Sequence, residues 1–351
     1  MKTSFQTPGF VTFARHKSSS ETNFVKFPCG KLLRQFCFAK PATIPKERRL
    51  SLKRKQRRSM IYEIKYGNLT AKVDTLGAQL VSLKRENGFE YLWTGDPAYW
   101  KGQAPVLFPM VGALRDGKTK IDGEWYEMGQ HGLARHREFT LAEQVDNRLS
   151  LRLSSDFETK KLYPFEFSLT VTYTLLDNGI ETRFTVENIG DKVLPFAVGG
   201  HPGFNIPVNE AAAFEDYTIR FPECETQTCP AIVMGKGLID PEKAAFELKN
   251  EREIPLRHEL FYADALIFEN LHSNTVQVVN KSTGKGIEMD FSQFPMLGIW
   301  SAKNDGPYVC LEPWTGCATR TDEGDEFEKK HNMTFLPAGG TAEYAFSVKI
   351  L

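Results

Sequence analysis

The sequence predicts an all-β protein, a large antiparallel β-sandwich with few short helices. Apolar and polar residues alternate with a period of two along many short segments, as they do in strands with one buried face. Asn-Gly and Asp-Gly dipeptides separate several of these segments and are typical of tight hairpins. Strand-like and helix-like segments do not alternate, and no unit of fixed length repeats. These last two features argue against a parallel α/β fold and a propeller.

The clearest predicted strand is Phe165–Leu175, in which large apolar side chains occupy every second position. It leads into Asp177-Asn178-Gly179, after which the alternation resumes at Ile180. Because Asn-Gly accepts two positive φ angles at low cost, we predict a type I′ hairpin at this point.

The same reasoning predicts two more hairpins, at Asn87-Gly88 and Asp122-Gly123. Helical patterns are few and short, at Pro97–Lys101 and Asp322–Lys330, and the second is equally compatible with a solvated loop. The remaining predicted strands are Ile61–Lys65, Val81–Lys84, Phe89–Trp93, Lys118–Ile121, Glu124–Met128, Leu149–Leu153, Thr218–Phe221, Ala265–Phe268, Thr275–Val279, Gly286–Phe291, Leu297–Trp300, Tyr308–Leu311 and Ala342–Ile350.

Charge divides the chain into two parts. The formal net charge is +0, but residues 1–59 hold 15 Lys and Arg side chains against 2 acidic ones, which leaves 29 basic and 42 acidic side chains beyond them. This basic head ends in a cationic run and has no apolar period, so we predict that it is disordered. Residues 60–351 contain no linker-like stretch and are predicted to form a single sandwich domain.

Three interpretations of the head remain open. Its charge fits a nucleic-acid tail, although regular aromatic interleaving is missing. Its Arg- and Ser-rich, acid-poor composition fits an organelle-targeting presequence. The third, which we favour because Met60 directly precedes the first strand-like run, is that the head comes from an upstream reading of the gene.

Composition excludes several classes of protein. No apolar run approaches the ~18 residues of a membrane span. The six cysteines are too few for a disulfide scaffold and lack the paired spacing of a zinc site, so we expect reduced thiols and a cytoplasmic protein, or an organellar one if the head is a presequence. Phosphate loops, dinucleotide fingerprints and nucleophile elbows are missing from the sequence. An enzyme of this kind would need no cofactor and would work by acid–base chemistry.

Four polar clusters interrupt the strand-like pattern and carry the candidate chemistry. Any one of them alone is more often structural or solvated than functional. Together, two histidines, carboxylates and aromatic rings at strand ends supply what a sugar site needs, since rings stack on sugar faces, Arg and carboxylates bind hydroxyls, and a His–Glu pair moves protons. The clusters are Gln130–Arg135, Phe196–Asn205, Phe261–Ile267 and Val309–Trp314.

From about residue 60 to its end the chain resembles the aldose 1-epimerase (galactose mutarotase) family, in its small bacterial-type branch. The resemblance depends on several motifs together, each of which is weak alone. They are Thr75–Leu83, Val111-Gly112 through Arg115, His131-Gly132 with Arg135, Gly200-His201-Pro202 with Phe204-Asn205, Asp264, and Cys310–Trp314. The resemblance implies a galactose mutarotase-like β-sandwich, in agreement with the hairpin pattern.

The resemblance also implies roles for individual residues. His201 is similar to the general acid that protonates the ring oxygen, Glu312 to the base that deprotonates the anomeric hydroxyl, and His131 to a second imidazole near the ring. We further expect substrate contacts from Arg115, Asp264, Arg135 and Trp314. The implied reaction interconverts the α and β anomers of a free hexose without a cofactor or metal.

Three alternative functions remain open. A hexose-6-phosphate 1-epimerase would need cations around the phosphate, for which Arg115, Arg135 and Arg137 are candidates. A non-catalytic carbohydrate-binding domain would not need an acid–base pair. A metal hydrolase using His131, His136, His201 and Glu312 is disfavoured, because His131 and His136 would face opposite sides of one continuous strand. We expect no nucleic-acid or membrane partner, and either a monomer or a homodimer.

Overall fold

The computed structural model describes residues 59–351. The predicted basic head, residues 1–59, lies outside the described residues except for Ser59. Within residues 59–351, no helix is long and apolar enough to cross a membrane.

The larger of the two main sheets has nine strands, and all of its pairings are antiparallel. Two of its strands, Phe167–Leu176 and Gly179–Asn188, alternate buried and less buried residues over much of their length, which is the predicted period of two. The strand order across the sheet is β15 (Leu238–Pro255), β14 (Tyr217–Val233), β17 (Thr275–Asn280), β18 (Gly286–Asp290), β22 (Thr341–Ile350), β10 (Gly179–Asn188), β9 (Phe167–Leu176), β8 (Arg148–Ser154) and β7 (Thr140–Val145).

The second main sheet has six strands and carries the candidate site. Its longest strand is buried along its whole length and pairs on both sides. The sheet consists of β16 (Leu266–Glu269), β19 (Met296–Trp300), β20 (Tyr308–Trp314), β12 (Gly199–Gly200) and β4 (Val106–Leu107), with β13 (Gly203–Asn205) paired to β20.

Three smaller sheets and a few short helices complete the described residues. The sheets are β1 (Ile61–Tyr66), β2 (Leu69–Asp74) and β3 (Gln79–Arg85); β5 (Lys118–Ile121) and β6 (Glu124–Glu127); and β11 (Leu194–Phe196) and β21 (Thr334–Leu336). The helices are α1 (Phe157–Lys160) and 3₁₀ turns at Arg115–Gly117, Ala134–His136, Phe214–Asp216, His258–Phe261 and Phe327–Lys329.

The main sheets pack face to face, which confirms the predicted sandwich. Gly200 of β12 lies so close to β22 that a Cβ atom would be 2.8 Å from the Phe346 ring. Phe346 in turn packs 6.0 Å from Phe184 of β10, measured between ring centroids. The small β1–β3 sheet is tied to this core by Tyr173, whose hydroxyl donates to the Ala78 carbonyl at 2.8 Å. The resulting apolar core holds the six-stranded sheet rigidly against the nine-stranded one.

The three predicted hairpins are found, but only one of them has the predicted turn type. Asp122 and Gly123 both have positive φ, so their type I′ turn is confirmed. At Asn87-Gly88 only Gly88 has positive φ. At Asn178-Gly179 neither residue does, because Gly179 already pairs with Leu176 and the two-residue loop is Asp177-Asn178. The type I′ prediction there is wrong.

Of the two helical predictions, the one at Pro97–Lys101 is wrong, while Asp322–Lys330 is mostly a loop, as its alternative prediction has it. Pro97–Lys101 forms turns, and Asp322–Lys330 contains only the 3₁₀ turn Phe327–Lys329. The four-residue α1 is not predicted by the apolar pattern. A capping box starts it, in which Asp156 accepts from the Thr159 N–H and the Asp156 N–H donates to the Thr159 hydroxyl.

Candidate active site

A cavity of about 670 Å³ opens at the face of the six-stranded sheet. Six of the seven predicted site residues line it, although they come from four separate parts of the chain. These six are His131, Arg135, His201, Asp264, Glu312 and Trp314.

Glu312 is placed by strand alternation. Residues two apart on a strand face the same side, so Cys310, Glu312 and Trp314 of β20 share one face. The sequence placed Glu312 at a strand end, but β20 continues through Trp314 because Pro313 and Trp314 still pair with Leu297 and Met296 of β19. Glu312 is only 2% exposed. Because Glu312 is part of a buried strand, its carboxyl group cannot move far from the His201 imidazole that it faces.

His201 lies between β12 and β13 and faces Glu312. Its Nε2 is 3.3 Å from Glu312 Oε1. Trp100 stacks on the imidazole at 4.8 Å between centroids and 25° between planes, and Trp300 meets it edge-on at 5.6 Å. The two indoles leave the ring little freedom to rotate, so the His201–Glu312 contact is held in one geometry.

His131 is held by an unusual backbone. It has φ +65° and is followed by Gly132 at φ +77°. A Cβ on Gly132 would lie 2.3 Å from the Phe108 carbonyl oxygen, so only glycine fits there. Gly112 donates its N–H to His131 Nδ1 at 3.1 Å and accepts the His131 N–H at 2.8 Å. With Nδ1 accepting, the proton of the neutral ring is on Nε2.

Burial controls the protonation of these groups. Desolvation, helped by the Arg135 charge, lowers the pKa of His131 to about 3, and His131 is therefore neutral. Burial also lowers the pKa of His201 well below its usual value, with His131 and Arg135 acting in the same direction.

Glu312 shifts in the opposite direction. Burial raises its pKa well above the usual value, and the Asp264 charge adds to this. The Trp314 indole N–H acts against the shift, although it makes no direct hydrogen bond. Burial therefore disfavours both the doubly protonated, positively charged pair and the fully deprotonated, negatively charged pair. The His201–Glu312 pair retains one shared proton.

Arg135 and Asp264 add polar groups to the cavity wall. Arg135 is half-buried, and within residues 59–351 its side chain makes neither an ion pair nor a hydrogen bond. Asp264, at φ +105°, is open to the cavity and accepts the Ala265 N–H at 2.9 Å. A guanidinium without a protein partner in such a position is available to a ligand.

Arg115 does not line the cavity, contrary to its predicted role. Its Nη2 donates to the carbonyl oxygens of Arg320 and Glu323, both at 2.9 Å, and Nη1 pairs with Asp325 at 3.6 Å. Its guanidinium is used to hold the segment 320–325.

Arg137 and His136 also lie away from the cavity lining. The first is a candidate of the hexose-6-phosphate epimerase alternative, and the second is a candidate of the metal hydrolase alternative. Arg137 donates to the Glu158 carbonyl. His136 is exposed at the end of a 3₁₀ turn, so it does not share a strand with His131 at all. Both alternatives that depended on these residues lose a candidate ligand contact.

The sequence did not identify the rim of the cavity. Trp100 and Trp300 both line it. Tyr99, Lys303 and Asn304 line it as well, and nothing in their local sequence distinguished them. Asn304 donates to the Ala98 carbonyl at 2.8 Å, which joins two rim loops. Among the described residues, one group of possible metal ligands occurs here, formed by His201, Cys310 and Glu312.

Comparison with known proteins agrees with this fold. The aldose 1-epimerase family model matches residues 60–337. The chromosomal protein LacX of Lactococcus lactis subsp. lactis is 37% identical over 298 residues, which cover 83% of this chain and 100% of LacX.

Two solved structures are similar throughout the described residues. A galactose mutarotase related enzyme from Lactobacillus acidophilus has a TM-score of 0.79 and 32% identity, and the match covers 83% of this chain and 97% of that one. A galactose mutarotase-like protein from Lactobacillus casei ATCC 334 has a TM-score of 0.76 and 28% identity over 83% of this chain and 100% of that one. The chain belongs to the aldose 1-epimerase family.

Proposed function

We propose that this protein interconverts the α and β anomers of a free hexose by opening and reclosing the sugar ring. The observation that carries this proposal is the 3.3 Å contact between His201 Nε2 and Glu312 Oε1 at the wall of a sugar-sized or larger cavity. The reaction needs one group that gives a proton and one that takes a proton within reach of the same sugar carbon.

The chemistry balances without any other reactant. One group takes the proton from the anomeric hydroxyl while the other gives a proton to the ring oxygen, and the bond between C1 and the ring oxygen breaks. Rotation about C1–C2 then presents the other carbonyl face, and reclosure reverses both proton transfers. We assign Glu312 as the base and His201 as the acid of ring opening, so this step starts with the shared proton on His201 and leaves it on Glu312, the position that burial favours. A pair that shares one proton can exchange these roles on closure.

The polar groups around the pair support a role in holding the sugar. His131 carries its proton on Nε2 and can donate it toward the ring region. Arg135 and Asp264 offer a donor and an acceptor to the remaining hydroxyls. Trp100 and Trp300 provide apolar surface for the sugar face.

A free hexose is favoured over a phosphorylated one by the arginine positions. Of Arg115, Arg135 and Arg137, only Arg135 lines the cavity. Lys303 is the other cation of the lining and lies exposed at the rim. A binding domain without catalysis would not require the buried His201–Glu312 contact, which costs desolvation.

Polarimetry tests the proposal. Freshly dissolved α-glucose and α-galactose should approach anomeric equilibrium faster with the protein than in the buffer blank, and their 6-phosphates should be poorer substrates. Faster conversion of the phosphates would favour the phosphate epimerase. Calorimetric sugar binding without any acceleration would favour a binding domain.

Arg135 and Arg115 are a matched pair that tests the cavity assignment. We expect Arg135→Ala to raise KM by about tenfold or more, because a charged hydrogen bond contributes about 1.5–3 kcal/mol. Arg115→Ala should leave KM within about twofold, since a surface side chain away from the ligand contributes little, and should instead lower Tm by releasing segment 320–325. Initial rates and thermal melts of both variants distinguish the two roles, and a larger KM change in Arg115→Ala would contradict them.

The pH dependence follows from the shared proton. His201 has a lowered pKa, so the pair gains a second proton only well below the ordinary value of 6.5. Glu312 has a raised pKa, so the pair loses its proton only well above the ordinary value of 4.5. We therefore expect kcat/KM, corrected for the buffer blank, to show no acid limb near pH 6.5. An acid limb centred there would show that His201 titrates as an exposed histidine.

A further inference from the structure

Cys310, which the proposed reaction does not use, lies beside the His201–Glu312 pair. Within residues 59–351, His201, Cys310 and Glu312 have potential ligand atoms within 4.8 Å of one another. The three residues are 8%, 0% and 2% exposed, respectively. Cys310 and Glu312 share a face of β20, and the strand after His201 pairs with β20 through Gly203 and Cys310. Backbone pairing thus holds the three residues next to one another, while side-chain torsions can still change the spacing of the ligand atoms.

A thiolate, an imidazole and a carboxylate are the three ligand types that Zn²⁺ takes in proteins. Zinc bonds of about 2.0–2.3 Å place tetrahedral ligand atoms about 3.5 Å apart. The most widely spaced ligand atoms of the three residues would therefore have to approach each other by about 1 Å. His201 and Glu312 also line the cavity, so a fourth coordination position there can be taken by water.

The imidazole of His201 is free to present a lone pair. Its Nδ1 is buried and has no hydrogen-bond partner in the described part of the chain. His131 differs, because the Gly112 N–H fixes its tautomer. Among residues 59–351 no hydrogen bond fixes the tautomer of His201 in this way, so Nδ1 can carry the ring proton while Nε2, which lies 3.3 Å from Glu312 Oε1, presents its lone pair to a cation.

We propose that His201, Cys310 and Glu312 form a binding site for a thiophilic divalent cation of the Zn²⁺ class, which reversibly blocks the cavity. Binding would release two protons to water, one from the Cys310 thiol and one from the His201–Glu312 pair. The metal would then occupy the lone pairs that the sugar protons need. The cation site does not depend on the proposed function, but the inhibition does.

The full chain, treated with a chelator and dialysed, is the material for the test. Titration with Co²⁺ as a spectroscopic substitute for Zn²⁺ should produce a thiolate-to-metal absorption band. Cys310→Ser should abolish this band, and Cys317→Ser, which changes another buried cysteine outside the cluster, should keep it. Zn²⁺ affinity, measured by competition with a coloured chelator, should fall at least about tenfold in Cys310→Ser, since loss of even an outer-sphere partner costs about 10–100-fold.

Activity provides a second and separable readout. Zn²⁺ should suppress blank-corrected mutarotation by the parent, and chelator should restore it, with each variant compared to its own metal-free rate. A thiolate band that persists in Cys310→Ser, or the failure of the parent to bind Co²⁺ and Zn²⁺, would overturn the proposal. If the parent binds the metal through Cys310 but never accelerates mutarotation, the cation site stands and the proposed function fails.

Discussion

Replacing Glu312 by glutamine is expected to lower kcat/KM for anomer interconversion by about 10²–10⁴-fold, the contribution of a positioned acid–base group. Glutamine has nearly the size of the protonated carboxyl group that burial favours at this position. The β20 backbone and the packing around the pair should therefore persist. The amide can neither take the proton of the anomeric hydroxyl nor return it, so the chemical step is lost while the cavity remains.

A second buried glutamate supplies the control. Glu225 is 0% exposed and accepts the backbone N–H groups of His272 and Ser273 at 3.1 and 2.8 Å, but it does not line the cavity. Glu225→Gln should lower the free energy of unfolding, because it weakens charged hydrogen bonds to a loop, and should leave kcat/KM near the parent value. The two variants thus separate loss of stability from loss of chemistry.

Polarimetric initial rates measure the loss of catalysis in both variants, and urea unfolding measures the loss of stability. His201→Asn, which keeps a polar group of similar reach to Nδ1, should show a loss comparable to that of Glu312→Gln. Parental rates in a folded Glu312→Gln variant would remove Glu312 from the mechanism and leave the cavity without an assigned base.

The convergence of His131, His201 and Glu312 was predicted from motifs and not from spacing. No local pattern shows that the loop after β12 faces the middle of β20, because that contact depends on pairing between strands more than a hundred residues apart. Each of these motifs combines a candidate side chain with glycines or prolines that the backbone requires. Gly132, which leaves no space for a Cβ atom beside Phe108, is such a residue.

Arg115 shows where this reasoning fails. An arginine that follows a glycine-containing turn has the same local sequence whether it points into a cavity or along a neighbouring loop. The carbonyl groups of Arg320 and Glu323 decide its direction, and they are distant in the chain. Tyr99, Lys303 and Asn304 escaped prediction for a related reason, since a rim residue is defined only by how separate loops fold over the site.

The hairpins show when an Asn-Gly or Asp-Gly dipeptide predicts the turn type correctly and when it does not. Asp122-Gly123 adopts the predicted turn because the flanking strands β5 and β6 pair directly through Ile121 and Glu124. Asn178-Gly179 is shifted by one residue because Gly179 pairs on both sides, with Leu176 of β9 and Lys349 of β22. Asn178 instead uses its side chain, which donates to the Ile350 carbonyl and accepts from Arg85. Tertiary pairing overrides the local preference of the turn.

Gly179→Ala is therefore expected to be among the most destabilising single changes in the molecule, at about 3 kcal/mol or more, the upper end for overpacking. A Cβ atom on Gly179 would lie 2.0 Å from the Val348 carbonyl oxygen and 3.0 Å from the Lys349 Cα. Both are backbone atoms of β22, which is paired on both sides, so neither can move without breaking the centre of the nine-stranded sheet.

Gly88 is the matched control, because it follows an asparagine in a hairpin and has the positive φ, +83°, that Gly179 lacks. A Cβ atom on Gly88 would meet nothing within 4 Å, so Gly88→Ala should cost only the left-handed backbone penalty of about 1–2 kcal/mol. Urea unfolding of both variants measures the difference. If Gly179→Ala lowered the free energy of unfolding no more than Gly88→Ala does, Gly179 would belong to the type I′ turn that the Asn-Gly dipeptide predicts. The pairing of β10 with β22 at this point would then have to be shifted.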